Sequence, residues 1–165
     1  MQPPPQTRPN RFIAAGLAIG LVLAVATIGN LATFANLQTW YAPLNKPAFT
    51  PPNWVFGPAW GLLYLLMIIA FWRVLSLPSA VAGKRLGITL FLIQLVLNAG
   101  WSVVFFGLHA LAGGLVEIGL MIIAIVATLV AFWRIDRPAA LLLLPYLAWV
   151  CFATALNAGV WLLNR

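Results

Sequence analysis

Five apolar stretches, each long enough to cross a lipid bilayer, occupy nearly all of a 165-residue chain. They run over residues 12–34, 54–72, 86–108, 110–133 and 139–163, and a helix needs roughly 20 mostly apolar residues to traverse the hydrocarbon core. Only 7% of the residues are charged against 64% hydrophobic, whereas soluble domains carry about a quarter charged residues. Inside a bilayer no water is available to bond backbone polar groups, so each stretch must satisfy them internally as a helix. The sequence therefore predicts an all-α membrane protein, a five-transmembrane-helix bundle forming one domain over 12–165. No room is left for a second, soluble domain. Residues 1–11 carry Pro3, Pro4, Pro5 and Pro9 with Arg8 and Arg11 and no apolar period, and read as a flexible basic tail.

The net charge of +7 comes from nine Lys and Arg against two acidic residues. A nucleic-acid partner would require a clustered basic face, whereas these residues sit singly or in twos, mostly at the ends of the apolar stretches. With an odd number of spans, Arg8, Arg11, Arg73, Lys84, Arg85, Arg134 and Arg137 fall on one membrane face, and Lys46 and Arg165 on the other. In an inner or plasma membrane the positive-inside rule puts the N-terminus in the cytoplasm and the C-terminus outside. An outer membrane lacks that driving force, so the choice of membrane stays open. A cleaved signal peptide is the rival reading of the first stretch, with Ala24-Val25-Ala26 as a cleavage-like site.

The one long connection, 35–53, contains Pro43, Pro47, Pro51 and Pro52, which forbid a continuous helix. It also contains Trp40, Tyr41 and Phe49, which gain by packing. A folded lid over one mouth of the bundle is expected. The other connections are short, so consecutive helices are expected as antiparallel neighbours. Ala70-Phe71-Trp72-Arg73 recurs as Ala131-Phe132-Trp133-Arg134, and Leu97-Asn98-Ala99-Gly100 as Leu156-Asn157-Ala158-Gly159. Both fit an internal repeat of two parallel hairpins; the first also fits the ordinary marking of helix ends by Trp and Arg, whereas Asn at mid-span is costly and its recurrence is harder to dismiss.

Polar side chains in lipid must face a partner or the bundle interior. Three stripes at helical spacing do so: Phe56, Trp60 and Tyr64 in the second span; Gln94, Asn98, Trp101, Ser102 and Phe105 in the third; Tyr146, Trp149, Ala153 and Asn157 in the fifth. Taken alone, these residues are either interhelical glue with aromatic core filling or the walls of a ligand pocket. Glu117, the one acidic residue inside a span, is a candidate proton site or a group paired near the interface. Asp136, between Arg134 and Arg137, suggests a local surface pair, and His109, alone at a tight turn, a solvated side chain rather than a haem ligand. Cys151 is the sole cysteine, which excludes a disulfide or multi-cysteine metal site within one chain. No catalytic triad, metal cluster or pair of intramembrane carboxylates can be assembled, and no catalytic residue is assigned.

Three blocks carry a resemblance. The first is Trp40-Tyr41-Ala42-Pro43-Leu44-Asn45-Lys46-Pro47, continuing through Pro51-Pro52-Asn53-Trp54-Val55-Phe56-Gly57-Pro58-Ala59-Trp60 to Tyr64. The second is Gln94-Leu95-Val96-Leu97-Asn98-Ala99-Gly100-Trp101-Ser102 to Phe105-Phe106-Gly107, and the third Pro145-Tyr146-Leu147-Ala148-Trp149 to Phe152-Ala153-Thr154-Ala155-Leu156-Asn157. In order and spacing they resemble the translocator-protein family, also called tryptophan-rich sensory proteins, over about residues 30–160. The resemblance implies five helices, a homodimer, and a pocket under the first loop that takes porphyrins, haem-like tetrapyrroles and benzodiazepine-type ligands. The positions matching that pocket are Trp60, Tyr64, Asn98, Trp101, Trp149, Ala153 and Leu156; Trp40, Phe105 and Tyr146 join them as ligand-binding candidates.

The partners so implied are a porphyrin or other hydrophobic small molecule, membrane lipid and a second copy of the chain, with no obligatory cofactor. The function implied is that of a tetrapyrrole-binding regulator, translocator or scavenger. The alternatives are light- and oxygen-dependent porphyrin degradation supported by Trp60 and Trp149, a redox reaction of the bound pigment, and proton-coupled export through Glu117. Two departures limit the transfer. Ala158 and Gly159 follow Leu156-Asn157 where the cholesterol motif of animal relatives needs a Tyr, so cholesterol binding is not carried over. Gly113-Gly114 stands where animal relatives have a bulky aromatic, which suggests a wider pocket there.

Overall fold

The computed structural model describes residues 9–165; residues 1–8, most of the expected basic tail, lie outside the described residues. Helix α1 (Arg11–Asn36) begins where the Asn10 side chain caps it, Oδ1 accepting from the Phe12 N–H at 2.9 Å. One face buries Ala14, Ala18, Val22, Ala26 and Gly29, a small-residue stripe that lets neighbouring backbones approach closely. The helix does not stop at 34. With no proline between Pro9 and Pro43, it runs on through a π turn, Leu37–Tyr41, so the connection to α2 is shorter than its composition suggests.

Helix α2 (Asn53–Leu75) starts directly after Pro51-Pro52, residues that preset the first turn without needing a donor. Helix α3 (Lys84–Ser102) ends in a second π turn, Val103–Gly107, and α4 (Leu111–Ile135) follows. The fifth span is divided into α5 (Arg137–Leu142) and α6 (Leu144–Leu163). Pro145 causes the break: it has no N–H to give the Leu141 carbonyl, and its ring crowds that oxygen. Five segments are long and apolar enough to cross a membrane: Arg11–Tyr41, Asn53–Leu75, Lys84–Gly107, Leu111–Ile135 and Arg137–Leu163. Phe12, Leu31, Leu62, Val96, Val116 and Ile123 stand exposed on their outer faces. In water so much apolar surface would drive association; in a bilayer it meets lipid chains.

The helices form a ring in which α1 packs along α2 and α3, α3 along α4, α4 along α6, and α2 closes against α5. Chain order is broken at one place, because α1 stands between α2 and α3. Those two helices meet chiefly across the core, where Phe71 and Phe91 stack with centroids 4.2 Å apart and Phe132 extends the stack at 5.9 Å. The hairpins α2–α3 and α4–α6 are therefore not equivalent. Their Trp-Arg ends differ as well. Trp72 donates its indole N–H to the Arg11 carbonyl, whereas Trp133 is exposed beneath the Arg137 guanidinium. The Trp-Arg recurrence marks helix ends.

Asp136 is not paired with its sequence neighbours. Its Oδ1 accepts from Arg73 Nε and Nη2 at 3.2 and 3.1 Å and from the Ala139 N–H at 3.0 Å. One carboxylate thus ties α2 to the α4–α5 junction and caps α5. Together with the phenylalanine stack, this ties the helices to one another near the basic end.

Candidate functional site

Toward the opposite end, α2 and α6 face each other through aromatic side chains. The α2 backbone lies close to α5 but hardly approaches α6, and long side chains span the gap. The spacing that puts Phe56, Trp60 and Tyr64 on one face of α2 aims them at Tyr146, Trp149 and Phe152 of α6. Trp60 stacks on Tyr64 at 5.4 Å and meets Tyr146 edge-on at 6.4 Å, while Phe56 meets Trp149 at 5.9 Å. Trp149 leans on Phe152 at 5.6 Å, and Phe49 of the lid reaches Phe152 at 6.4 Å. Ala153 is partly buried against the same core and Leu156 is buried. Trp60 and Trp149 themselves remain partly exposed along the cleft.

The floor of the cleft is polar. Asn98, 4% exposed, accepts from the Tyr64 hydroxyl through Oδ1 and donates through Nδ2 to the Tyr146 hydroxyl, both at 3.1 Å. Tyr146 in turn donates to Met121 Sδ at 3.4 Å. One amide therefore connects α2, α3, α4 and α6. Met121 carried no sequence signal, because an apolar thioether on a helix looks like ordinary core.

One turn along α3, Gln94 is 1% exposed, and neither its Nε2 nor its Oε1 has a hydrogen-bond partner among the described residues. An orphaned buried amide costs about 1–3 kcal/mol. Gln94→Leu, similar in volume and free of that cost, is expected to raise the melting temperature in detergent by roughly 2–4 °C per kcal/mol recovered. A lower melting temperature would show that the carboxamide is partnered in the membrane.

A second aromatic group sits beneath the lid root. Trp101 stacks on Phe105 at 5.1 Å and donates Nε1–H to Asn157 Oδ1 at 3.2 Å, while Asn157 Nδ2 donates to the Leu111 carbonyl at 3.0 Å. Trp40 belongs here and not with Trp60. Its ring partners are Phe105, Phe106 and, stacked at 4.5 Å, His109. His109 Nε2 lies 3.1 Å from Asn36 Oδ1, and its φ of 56° is the one positive value at a non-glycine among the described residues. Although exposed, this histidine braces the lid root against the α3–α4 turn.

The far side of the lid is fastened to the end of α6. The Asn45 N–H donates to Asn164 Oδ1 at 3.0 Å, and Asn164 Nδ2 donates back to the Asn45 carbonyl at 2.9 Å. Pro47 packs directly on Gly159, and Lys46 donates to the Ala42 and Leu44 carbonyls while lying over the Tyr41 ring. The glycines at the start of α4 do not widen the cleft. A methyl group at Gly114 would stand 2.8 Å from Asn157 Oδ1, and one at Gly113 3.1 Å from Val104 Cγ1; both positions are already filled by neighbours. Glu117 lies against Gly100 at the α3–α4 seam and bonds none of the cleft residues.

A helical bundle with a lipid-facing exterior, facing aromatic ladders beside a buried amide, and a fastened loop at that end defines an integral, multi-pass membrane protein with a candidate ligand site. The chain belongs to the TspO/MBR family, whose profile matches residues 18–162. It is 43% identical over 154 residues to the tryptophan-rich protein TspO of Chlorobaculum tepidum, covering 93% of this chain and 98% of that one. It is similar to the protein of the same name from Archaeoglobus fulgidus, with 45% identity over 151 residues, 87% of this chain and 92% of the relative. The human translocator protein is 39% identical over 150 residues, 87% of this chain and 88% of its own length. The resemblance read from the three blocks and the all-helical, five-span fold are both borne out.

Proposed function

We propose that the protein binds a flat hydrophobic pigment of the porphyrin class in the cleft between α2 and α6, as a regulator, translocator or scavenger of such compounds. The observation that carries this reading is the facing pair of aromatic ladders, Phe56-Trp60-Tyr64 and Tyr146-Trp149-Phe152, in which Trp60 and Trp149 are partly exposed while Tyr146 is buried against the Asn98 amide. Indole and phenol faces favour offset contact with another π system, and a tetrapyrrole offers one of matching breadth. The names of the relatives, translocator and sensory proteins, agree with carrying or sensing a small molecule.

The hydrogen bonds refine which groups meet the polar edge of that ligand. Asn98 is already committed to Tyr64 and Tyr146, so it shapes the floor rather than holding the ligand. The indole N–H groups of Trp72 and Trp101 are also engaged, whereas those of Trp60 and Trp149 have no partner among the described residues. These two donors, with the free lone pair on the Tyr64 oxygen, are suited to a pigment carboxylate and a pyrrole N–H. His109 is held by Trp40 and Asn36, so binding rests on ring stacking rather than on iron ligation by this histidine. The basic end at Arg11, Arg73 and Lys84 supports an orientation with that face in the cytoplasm of an inner or plasma membrane.

Protoporphyrin IX titrated into detergent-purified protein is expected to quench tryptophan fluorescence saturably, and Trp60→Leu with Trp149→Leu to weaken binding about tenfold or more, the loss of roughly 1.4 kcal/mol. Quenching that never saturates would overturn the reading. Absorbance followed in light and in dark separates binding from turnover. Loss of pigment in light that requires Trp60 and Trp149 would move the assignment to oxidative degradation.

A further inference from the structure

At the basic end, remote from the cleft, the start of α1, the end of α2 and the α4–α5 junction enclose a recess of about 310 Å³ lined chiefly by Arg11, Trp72, Arg73, Ser76 and Asp136. We propose that this recess binds a phosphate or phosphodiester group, carried either by an anionic membrane lipid or by a free phosphate compound. The charge balance favours an anion. Asp136 neutralises Arg73, from which it accepts two hydrogen bonds, while Arg11 has no carboxylate within ion-pair distance among the described residues. Two guanidiniums against one carboxylate leave the recess cationic. Lys84 adds to this from behind Leu77: it is buried, and its ammonium donates only to the Leu75 and Leu77 carbonyls.

A second observation points to a ligand independently of charge. Ser76 lines the recess, and its hydroxyl, tucked just under the surface, has no hydrogen-bond partner among the described residues. Buried hydroxyls are almost always partnered, and a donor beside an unpaired guanidinium is the pairing that phosphate oxygens accept. The volume fits more than a single water, whose share of liquid volume is about 30 Å³. Depth fits as well. The Trp72 indole, fixed to the Arg11 carbonyl at 3.2 Å, is the kind of side chain that settles at the head-group level.

Two arms test this on the full chain. In nanodiscs of phosphatidylcholine containing phosphatidylglycerol, native mass spectrometry is expected to show one retained phosphatidylglycerol, reduced about tenfold in Arg11→Gln with Ser76→Ala. Arg85→Gln, an exposed charge on the same face outside the recess, should leave retention unchanged. Arg73 is kept, since its pair with Asp136 holds α2 to α5, and circular dichroism checks that each variant is folded. In detergent, glycerol phosphate is compared with chloride at equal ionic strength by thermal unfolding. Stabilisation by glycerol phosphate that the double variant abolishes assigns the recess to a soluble phosphate compound; lipid retention without it assigns the recess to a lipid head group. Equal loss in Arg85→Gln, or no effect in either arm, overturns the proposal.

Discussion

The Gly159→Leu variant is expected to unseat the lid and to raise the dissociation rate of bound porphyrin about tenfold or more. A Cβ at this position would stand 2.8 Å from Pro47 Cγ and 3.1 Å from Pro47 Cβ, closer than carbon atoms pack. The proline ring cannot rotate away as a flexible side chain would, so the lid itself must shift. With it go the two bonds between Asn45 and Asn164 and the contact of Phe49 with Phe152. Each hydrogen bond contributes about 0.5–1.5 kcal/mol, and 1.4 kcal/mol corresponds to about a factor of ten. A loop that closes a site commonly sets the rate of ligand release, so the change should fall on dissociation more than on association. Asn164→Ala, which opens the fastening without a clash, should move the rate in the same direction by less. Limited proteolysis within 42–52 gives a readout that needs no ligand; unchanged cleavage and unchanged release in Gly159→Leu would show that the lid is not seated here.

Asn98→Leu is expected to lower stability by about 1–3 kcal/mol and porphyrin affinity by about tenfold. Hydrogen bonds between helices in lipid contribute about 0.6 kcal/mol on average and up to about 1.7, and this amide makes two of them, to Tyr64 and Tyr146. Its loss deprives the Tyr64 hydroxyl of its acceptor, whereas Tyr146 retains Met121 Sδ. Tyr64 also forms a stacked pair with Trp60, so freeing its hydroxyl loosens the aromatic wall and carries the defect to the ligand. A double-mutant cycle with Tyr64→Phe isolates the pair and should give a coupling of about 1 kcal/mol. The cycle with Tyr146→Phe should give less, because Tyr146 accepts from Asn98 and its own hydroxyl proton stays bonded to Met121 Sδ when Asn98 is lost. Additive effects in both cycles would show that Asn98 acts through packing alone.

The membrane fold was legible because its cause is local. A run of apolar residues long enough to span has one stable backbone solution in lipid, and five such runs leave nothing else to build. The stripes were legible for the same reason: a period near 3.6 reports which face of each helix turns inward, and Trp60, Tyr64, Asn98, Tyr146 and Trp149 do meet. The same period does not say which inward residues become neighbours. Trp40 and Phe105 share stripes or blocks with the cleft residues, yet they pack together under the lid root with His109. Asp136 stands between two arginines in sequence and pairs with a third across the bundle.

Helix number, helix faces, the proline break and the excess of basic residues at one membrane face are properties of the sequence by itself, since each follows from residues a few positions apart. The ring order that puts α1 between α2 and α3, the divergence of α2 from α6, the fastening of Asn45 to Asn164 and the orphaned Gln94 were decided only by the tertiary structure. They depend on the distances between helices, and in lipid those distances follow from side-chain volumes and hydrogen bonds at interhelical contacts. Periodicity along one helix does not encode such distances. The juxtaposition of the candidate site residues is therefore a property of how the five helices pack, and not of any one of them.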